Sequence, residues 1–553
     1  MSGQTHNPAA NALPGALGEA PVLAAPPAQH TVPEASVGEP ESRLDEPESP
    51  SAGLPPNAAH APAPPDRVPH GSAAPFAVLR HSHYRNMLLA QMTSNIGGWM
   101  ELFGMQWLVA QKTGSLQAMG YLGAAQLFPI MFFGLVGGLV CDRVNQKRLL
   151  IMTQSLLMLV AAAVAVLAAL DFPMPDWAEP LYLPIARFCH AESAPGVVVP
   201  LVFLSIINGI VVAFNMPAWQ VLTPRLVPRE ELTAAITLNG VQFNLTRVMG
   251  PVLAGLVMAQ WGTTPLFVGN ALSFLLVALV ATTTPDAPAR GSDGSHPWVQ
   301  IERAAGWVFR NRGPLAVFIA MALMSLLAAP LVRVLPLFVI DVFGVTGSEG
   351  EWAGGCLLAV QGLGAVAGFL ALRHIPAWYP RHHFIPLSVF GAGLSISAFA
   401  ATSTLWAGYL TMFVCGFFWI WAFNQSWAVM QHLVSDAMRG RVMALVNVAA
   451  FGATAIGNVL IGWIGEGLKD SGEVSARVAT QASIAMLSVP LMCAGLFMLF
   501  RRTPEVDGLP RGSGRPDMSI REAFLARSHR PMIAGENDPR SRNLGERAAN
   551  SSR

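Results

Sequence analysis

Gly134-Leu-Val-Gly-Gly138-Leu-Val-Cys-Asp142-Arg143-Val-Asn-Gln-Lys147-Arg148 stands where one long apolar run stops and the next begins. Gly134 and Gly138 are four residues apart and so share one face of a helix, where small residues let a neighbouring helix come close. Four charges follow at once: Asp142, Arg143, Lys147 and Arg148. The segments on either side are each long enough to cross a bilayer. The charges therefore fall at a membrane–water boundary, where they can hold two helix ends together or let them part.

The rest of the chain has the composition of a membrane protein. Apolar residues make up 52% and charged residues only 12%, about half the charged share of a soluble domain. Mean hydropathy is +0.44. The charge gathers in residues 1–75 and 503–553, whose Ala/Pro/Glu/Gly-rich and Arg/Gly/Ser/Pro-rich compositions predict disorder, with 520–527 as a possible short helix. The first 75 residues lack the apolar core of a signal peptide. A net charge of +1 and the lack of any basic stripe interleaved with aromatics predict no nucleic-acid partner. Cys141, Cys189, Cys356, Cys415 and Cys493 lie far apart, with no spacing that would ligate a metal. We expect neither a metal site, nor an intrachain disulfide, nor a cofactor.

A spanning helix needs about 20 apolar residues. Twelve such runs can be read, near 85–110, 118–140, 149–170, 197–215, 233–260, 264–284, 314–342, 353–372, 384–402, 405–423, 441–465 and 478–500. Loop charges orient them by the excess of basic residues on the cytoplasmic side. One side carries Arg80, Arg85, Arg143, Lys147, Arg148, Arg225, Arg229, Arg290, Arg303, Arg310, Arg312, Arg373, Arg381, Arg439, Arg441, Arg501 and Arg502; the other carries only Lys112, Arg187, Lys469 and Arg477. The first side is read as cytoplasmic, with both termini on it.

The two halves repeat. Gly134, Gly138 and Arg143 recur as Gly364, Gly368 and Arg373, with Leu372 in place of the acid. Stretch 219–232 recurs as 427–442: each opens with Trp, contains Leu-Val and ends in charge. An extra outside loop at 171–197 explains the change of offset between the two matches. The expected fold is an all-α membrane protein with twelve transmembrane helices in two pseudo-symmetric six-helix halves. Its parts are a cytoplasmic tail (1–77), an N-terminal half (78–284), a central cytoplasmic loop (285–313), a C-terminal half (314–502) and a second tail (503–553).

The opening stretch resembles the signature loop between the second and third helices of the major facilitator superfamily, without the Gly that usually follows two residues after the Asp. Across about 78–502 the chain is similar to the branch holding enterobactin exporters and macrolide-efflux proteins. The resemblance is carried by Gly97-Gly-Trp99-Met, Trp107-Leu-Val, Thr113-Gly-Ser115, Pro217-Ala-Trp-Gln220, Pro224-Arg-Leu-Val-Pro228, Phe243-Asn244-Leu-Thr-Arg247-Val-Met-Gly250-Pro251 and Arg439-Gly-Arg441-Val-Met-Ala444. It implies a bacterial inner-membrane exporter, driven by the proton gradient and acting as a monomer. Gly250-Pro251-x-x-Ala254-Gly255 resembles the antiporter motif of the fifth helix, with Ala254 where Gly is usual. Physically, Pro251 removes a backbone bond and Gly250 a side chain, so the helix can bend and pack closely there.

Polar groups at bilayer depth are costly and usually face a cavity. Gln91, Ser94, Asn95, Gly98 and Glu101 fall within an arc of roughly 120° on the first helix, at about 100° per residue. Ser205, Asn208, Val212 and Asn215 align on the fourth helix, and Asn239, Gln242, Thr246 and Gly250 on the fifth, with Arg247 at the edge. These stripes suggest a water-accessible lumen lined by Gln91, Ser94, Asn95, Asn208, Asn239, Gln242, Arg333 and Asn424, although interhelical hydrogen bonding explains Asn and Gln equally well. Glu101, alone or with Arg247 nearby, is the candidate proton carrier, because desolvation favours a neutral carboxyl and a nearby cation a charged one. The rival reading places Glu101 near the outer interface. Arg333, between Pro330 and Pro336, either snorkels outward or meets an anionic substrate. Gly138, Asp142, Arg143, Lys147 and Arg148 are expected to gate.

The expected partners are a small-molecule substrate, protons and the lipid bilayer. The leading expectation is a proton-coupled exporter of an amphipathic molecule such as a drug or siderophore; the alternative is an importer or facilitator on the same fold. A membrane-embedded enzyme is disfavoured, since His374, His382 and His383 are expected in a short cytoplasmic loop with no partner carboxylates in sequence. So is an ATP-driven pump, since no GxxxxGK[ST] loop occurs.

Overall fold

The computed structural model describes residues 76–170, 176–287, 297–372, 374 and 381–501. Both tails, most of the central loop's first part, Arg290 and Arg373 lie outside these residues, as do the expectations that fell on them. Among the described residues the secondary structure is helical throughout. The long helices are α1 (Ser82–Thr113), α2 (Leu116–Arg143), α3 (Gln146–Leu170), α5 (Pro195–Leu222), α6 (Leu232–Trp261) and α7 (Thr264–Thr282), then α11 (Gly347–Leu372), α12 (Arg381–Ala400), α13 (Leu405–Leu433), α14 (Asp436–Asp470) and α15 (Ala476–Leu499). Between the sets come α9 (Arg312–Leu323) and α10 (Leu331–Asp341), joined by a π-helical turn at Met324–Ala328 into one spanning unit. Pro330 follows that turn and caps α10.

Eleven helical segments among the described residues are long and apolar enough to cross a membrane. The twelfth expected span, α1, is 32 residues long and packs along α6 and α7, but falls short in apolarity. The polar stripe that marks it as interesting is what lowers its hydropathy. Two loop helices were not foreseen. The loop between α3 and α5 folds α4 (Glu179–Phe188), and the central loop folds α8 (Pro297–Arg310). Ala304 and Val308 of α8 are fully buried, four residues apart on one face, and α8 packs on α9 and α14. A single apolar stripe on a charged helix is too narrow to raise hydropathy.

The packing repeats as the sequence does. α2 lies along α5, and α3 along α5 and α7; α11 lies along α13, and α12 along α13 and α15. The two sets meet along two seams, α2 with α14 and α6 with α11. We call the end carrying Arg143 and Lys147 the basic end, and the end carrying Gly114 and Asp341 the far end.

Gly134 and Gly138 do not make the close approach expected of them: a Cβ on either would meet nothing within 4 Å. The contact falls one position off, at Gly137, where a Cβ would lie 2.9 Å from the Ala213 carbonyl carbon and 3.2 Å from Phe214 Cα of α5. In the second copy, Gly368 does carry the contact, with the Phe417 carbonyl oxygen 2.7 Å from its would-be Cβ. Four-residue glycine spacing fixes a face but not the neighbour it meets. Gly137→Ala should therefore lower stability in detergent by about 1–3 kcal/mol through overpacking. Gly134→Ala should be neutral or slightly stabilising, since Ala is the better helix former. Thermal unfolding of the two variants checks this, and equal effects would contradict the packing.

Candidate functional site

Polar side chains converge at three levels. At mid-depth, Glu101 is 6% exposed and lies twelve residues from the end of α1 at Thr113, about 18 Å at 1.5 Å per residue. Its partner is not Arg247. Asn270 of α7 donates its amide Nδ2 to the Glu101 carboxylate, and Ser273 Oγ donates to Asn270 Oδ1 at 3.2 Å. The contact is close because Gly97 carries no side chain: a Cβ there would lie 3.1 Å from both Asn270 Cα and Ser273 Oγ. Glu101 thus has a neutral amide for a partner and no fixed cation, so no ion pair locks it in the charged form.

The α1 stripe does not all face one place. Asn95 points to α6, where its Nδ2 donates to Gln242 Oε1 at 3.3 Å. Nearer the basic end, Tyr84 donates to Asn239 Oδ1 at 3.2 Å. Ser94 is buried and Gln91 half-buried. Interhelical bonding, one of the two readings offered for the Asn and Gln residues, describes Asn95, Asn239 and Gln242. Asn424 of α13 is exposed. Arg247 sits with its guanidinium carbon 5.6 Å from the ring centre of Trp419, a cation–π arrangement that joins α6 to α13. Around the antiporter-like stretch, α6 crosses α11 at glycines: a Gly355 Cβ would lie 2.7 Å from the Pro251 carbonyl, and a Gly255 Cβ 3.2 Å from Gly355 Cα. Pro251 and Gly255 thus stand on a seam between the two helix sets.

Arg333 does not snorkel. It is 9% exposed and its Nη2 donates to Gln126 Oε1 of α2 at 3.1 Å. Gln126 Nε2 in turn donates to Asn208 Oδ1 of α5 at 3.4 Å. With its amide oriented to satisfy both contacts, Gln106 of α1 accepts from Arg333 Nη1 and donates to the Arg333 carbonyl, each at 3.2 Å.

At the basic end, Asp142 and Arg143 are exposed and enter no ion pair among the described residues. Lys147 is turned back onto the end of α7, donating to the Thr284 carbonyl at 2.6 Å and lying 3.7 Å from Asp286. Arg148 is capped through its own backbone N–H by Asn145 Oδ1 at 3.1 Å. Glu231 collects Arg80 and His81. His382 and His383 lie not in a loop but buried at the start of α12.

The far end holds the residues that sequence reasoning missed. Glu466 Oε2 accepts from Ser115 Oγ at 2.9 Å and from the Gln117 N–H at 3.3 Å. Lys469 donates to the Gly114 carbonyl at 2.8 Å and lies 3.4 Å from Asp341. Trp463 Nε1 donates to Tyr121 Oη at 2.7 Å, and Gln111 donates to Glu351 at 3.1 Å. Each of these bonds except Lys469–Asp341 ties α1 or α2, or the turn between them, to α11 or α14, so the far end is clasped shut. His190, Glu466 and Asp470 bring ligand-type atoms within 4.8 Å of one another there, a convergence that no local spacing encodes. Burial pushes the neighbouring Cys189 thiol up to about 11.

A polytopic helical bundle of two repeated sets, with polar groups drawn into its seams, is the architecture of a membrane transporter. The chain belongs to the Major Facilitator Superfamily, whose sequence pattern matches residues 87–458. It is 20% identical over 355 residues to a staphyloferrin A transporter of Staphylococcus aureus, spanning 64% of this chain and 82% of that protein. It is 25% identical over 385 residues to an enterobactin exporter of Escherichia coli, spanning 68% of this chain and 83% of the relative. Among solved structures it resembles a nucleoside transporter with a TM-score of 0.57 at 16% identity, over 76% of this chain and all of that one; this likeness concerns the fold.

Proposed function

We propose that the chain is a proton-coupled exporter of an amphipathic small molecule, working by alternating access in a bacterial inner membrane, as a monomer with both termini in the cytoplasm. In this reading α1 is the twelfth span. Two halves, 78–284 and 314–502, rock about the α2–α14 and α6–α11 seams, and the basic end is cytoplasmic. The observation that carries the coupling is Glu101: a buried carboxyl at mid-depth whose partner is an amide. Such a group takes up and releases a proton without first breaking an ion pair.

Export rather than import is supported by the relative named as an enterobactin exporter. The clasped far end and the unpaired Asp142 and Arg143 fit a conformation open toward the cytoplasm. Closing that side would bring Asp142 and Arg143 against neighbouring helix ends, so the charged loop gates. In inside-out vesicles an exporter accumulates substrate when the lumen is acidified and stops when the gradient is collapsed; enterobactin is the first compound to try, followed by a screen in an efflux-deficient host. Asp142→Asn slows that uptake and leaves equilibrium binding intact. Uptake that ignores the gradient would identify a facilitator, and loss of lumenal substrate on acidification an importer.

A further inference from the structure

Arg333 is a buried cation for which the described residues provide no carboxylate. Its two bonded neighbours, Gln106 and Gln126, are neutral amides that orient the guanidinium without neutralising it. A charge taken out of water is expensive unless it is paired. Arginine does not escape the cost by losing its proton, since it stays charged in proteins. A second group beside it is also left wanting. Asn458 of α14 is 0% exposed, and neither its Nδ2 nor its Oδ1 has a hydrogen-bond partner. Buried side-chain amides with both ends unmet are rare in folded proteins.

Arg333 and Asn458 are neighbours. A Cβ added to Gly123 of α2 would lie 2.8 Å from Asn458 Nδ2 and 3.3 Å from Arg333 Cδ. Both side chains therefore reach the space that any other residue at 123 would begin to fill. The cluster also straddles the two helix sets, with Gly123, Gln106 and Gln126 on one and Arg333 and Asn458 on the other. A ligand bound there would touch both sides of the moving seam.

We propose that Arg333 and Asn458 receive an anionic group of the substrate, a carboxylate or an oxyanion of similar planar shape. The guanidinium offers charge and paired N–H donors that match a carboxylate. The Asn458 amide adds a further donor, and Gln106 and Gln126 hold the guanidinium in place. This deepens the transporter reading above and rests on it. The substrate class is accordingly an amphipathic organic anion.

Equilibrium binding to the purified full chain in detergent tests this apart from transport direction and coupling. The probes are tritiated 2-naphthoate and its neutral isostere 2-naphthamide. Saturable binding of naphthoate is expected, at least tenfold tighter than that of the amide. Arg333→Gln should weaken naphthoate binding at least tenfold and leave the amide unchanged, whereas Arg333→Lys should keep part of it. Asn458→Ala removes an unsatisfied amide, so it should fold at least as stably as the parent, yet bind naphthoate several-fold more weakly. Thermal unfolding separates a lost site from a misfolded variant. Equal affinity for the two probes, no saturable naphthoate binding, or full binding by both Arg333→Gln and Asn458→Ala would overturn the proposal. Saturable amide binding in any of these cases would leave the transporter reading standing.

Discussion

Glu101→Gln is expected to abolish accumulation driven by a pH gradient while sparing exchange of substrate across the membrane. The amide matches the protonated carboxyl in shape and can keep a hydrogen bond with Asn270, so the α1–α7 contact survives. What is lost is the ability to release a proton. Glu101→Asp keeps a titratable group but withdraws it by one methylene from Asn270, and should retain part of the coupling. Asn270→Ala leaves the carboxyl buried without its donor and should impair coupling more than folding. Counterflow and gradient-driven uptake, measured on the same vesicles, separate the two functions. If Glu101→Gln still concentrates substrate against its gradient, Glu101 serves only to join α1 to α7.

Glu466→Ala should spring the far end open. Glu466 accepts from Ser115 Oγ and from the Gln117 backbone, and a hydrogen bond to a charged group contributes about 1.5–3 kcal/mol. Losing this clasp shifts the equilibrium between closed and open far ends by about 10–100-fold. Lys469 would still hold the Gly114 carbonyl, so the bundle should fold. Spin labels placed at Trp177 and Trp406, both exposed, report the change in a cysteine-free background. The parent should give a single separation, and Glu466→Ala a second, longer one. Transport should slow, because a state that opens too readily closes too seldom. An unchanged distance distribution would show that the clasp carries no weight in the conformational balance.

The two predictions differ in how far the sequence foretold them. Glu101 was visible because it interrupts an apolar run, and interruption is what hydropathy detects. Its partner was not: Asn270 lies on another helix, and its pairing depends on Gly97 leaving room. Glu466 and Asp470 escape notice for a different reason. The run of apolar residues stops near 465, so the span was ended there, yet backbone hydrogen bonding carries α14 on to Asp470. The same effect carries α13 to Leu433 and α5 to Leu222. Apolarity measures the stretch that lipid tolerates, and helices run beyond it.

Glycine patterns were legible as a signal but not as an address. Gly134 and Gly138 announced close packing, and the packing is one residue away at Gly137. Arg333 can be read from sequence as either snorkelling or facing substrate; its bond to Gln126, 207 residues away in sequence, shows the side chain turned into the bundle, which no local spacing predicts. Fold class and helix order follow from local chemistry, whereas pairings across the seams depend on which faces meet.

Liposomes carrying the purified chain, with the pH dye pyranine trapped inside, test the central claim most directly. When substrate is added outside and flows in down its own gradient, a proton-exchanging carrier must pass protons out. The lumen should turn alkaline in step with substrate uptake, and Glu101→Gln should produce no pH change. Uptake by the parent protein without any lumenal pH change, or with acidification, would contradict the account.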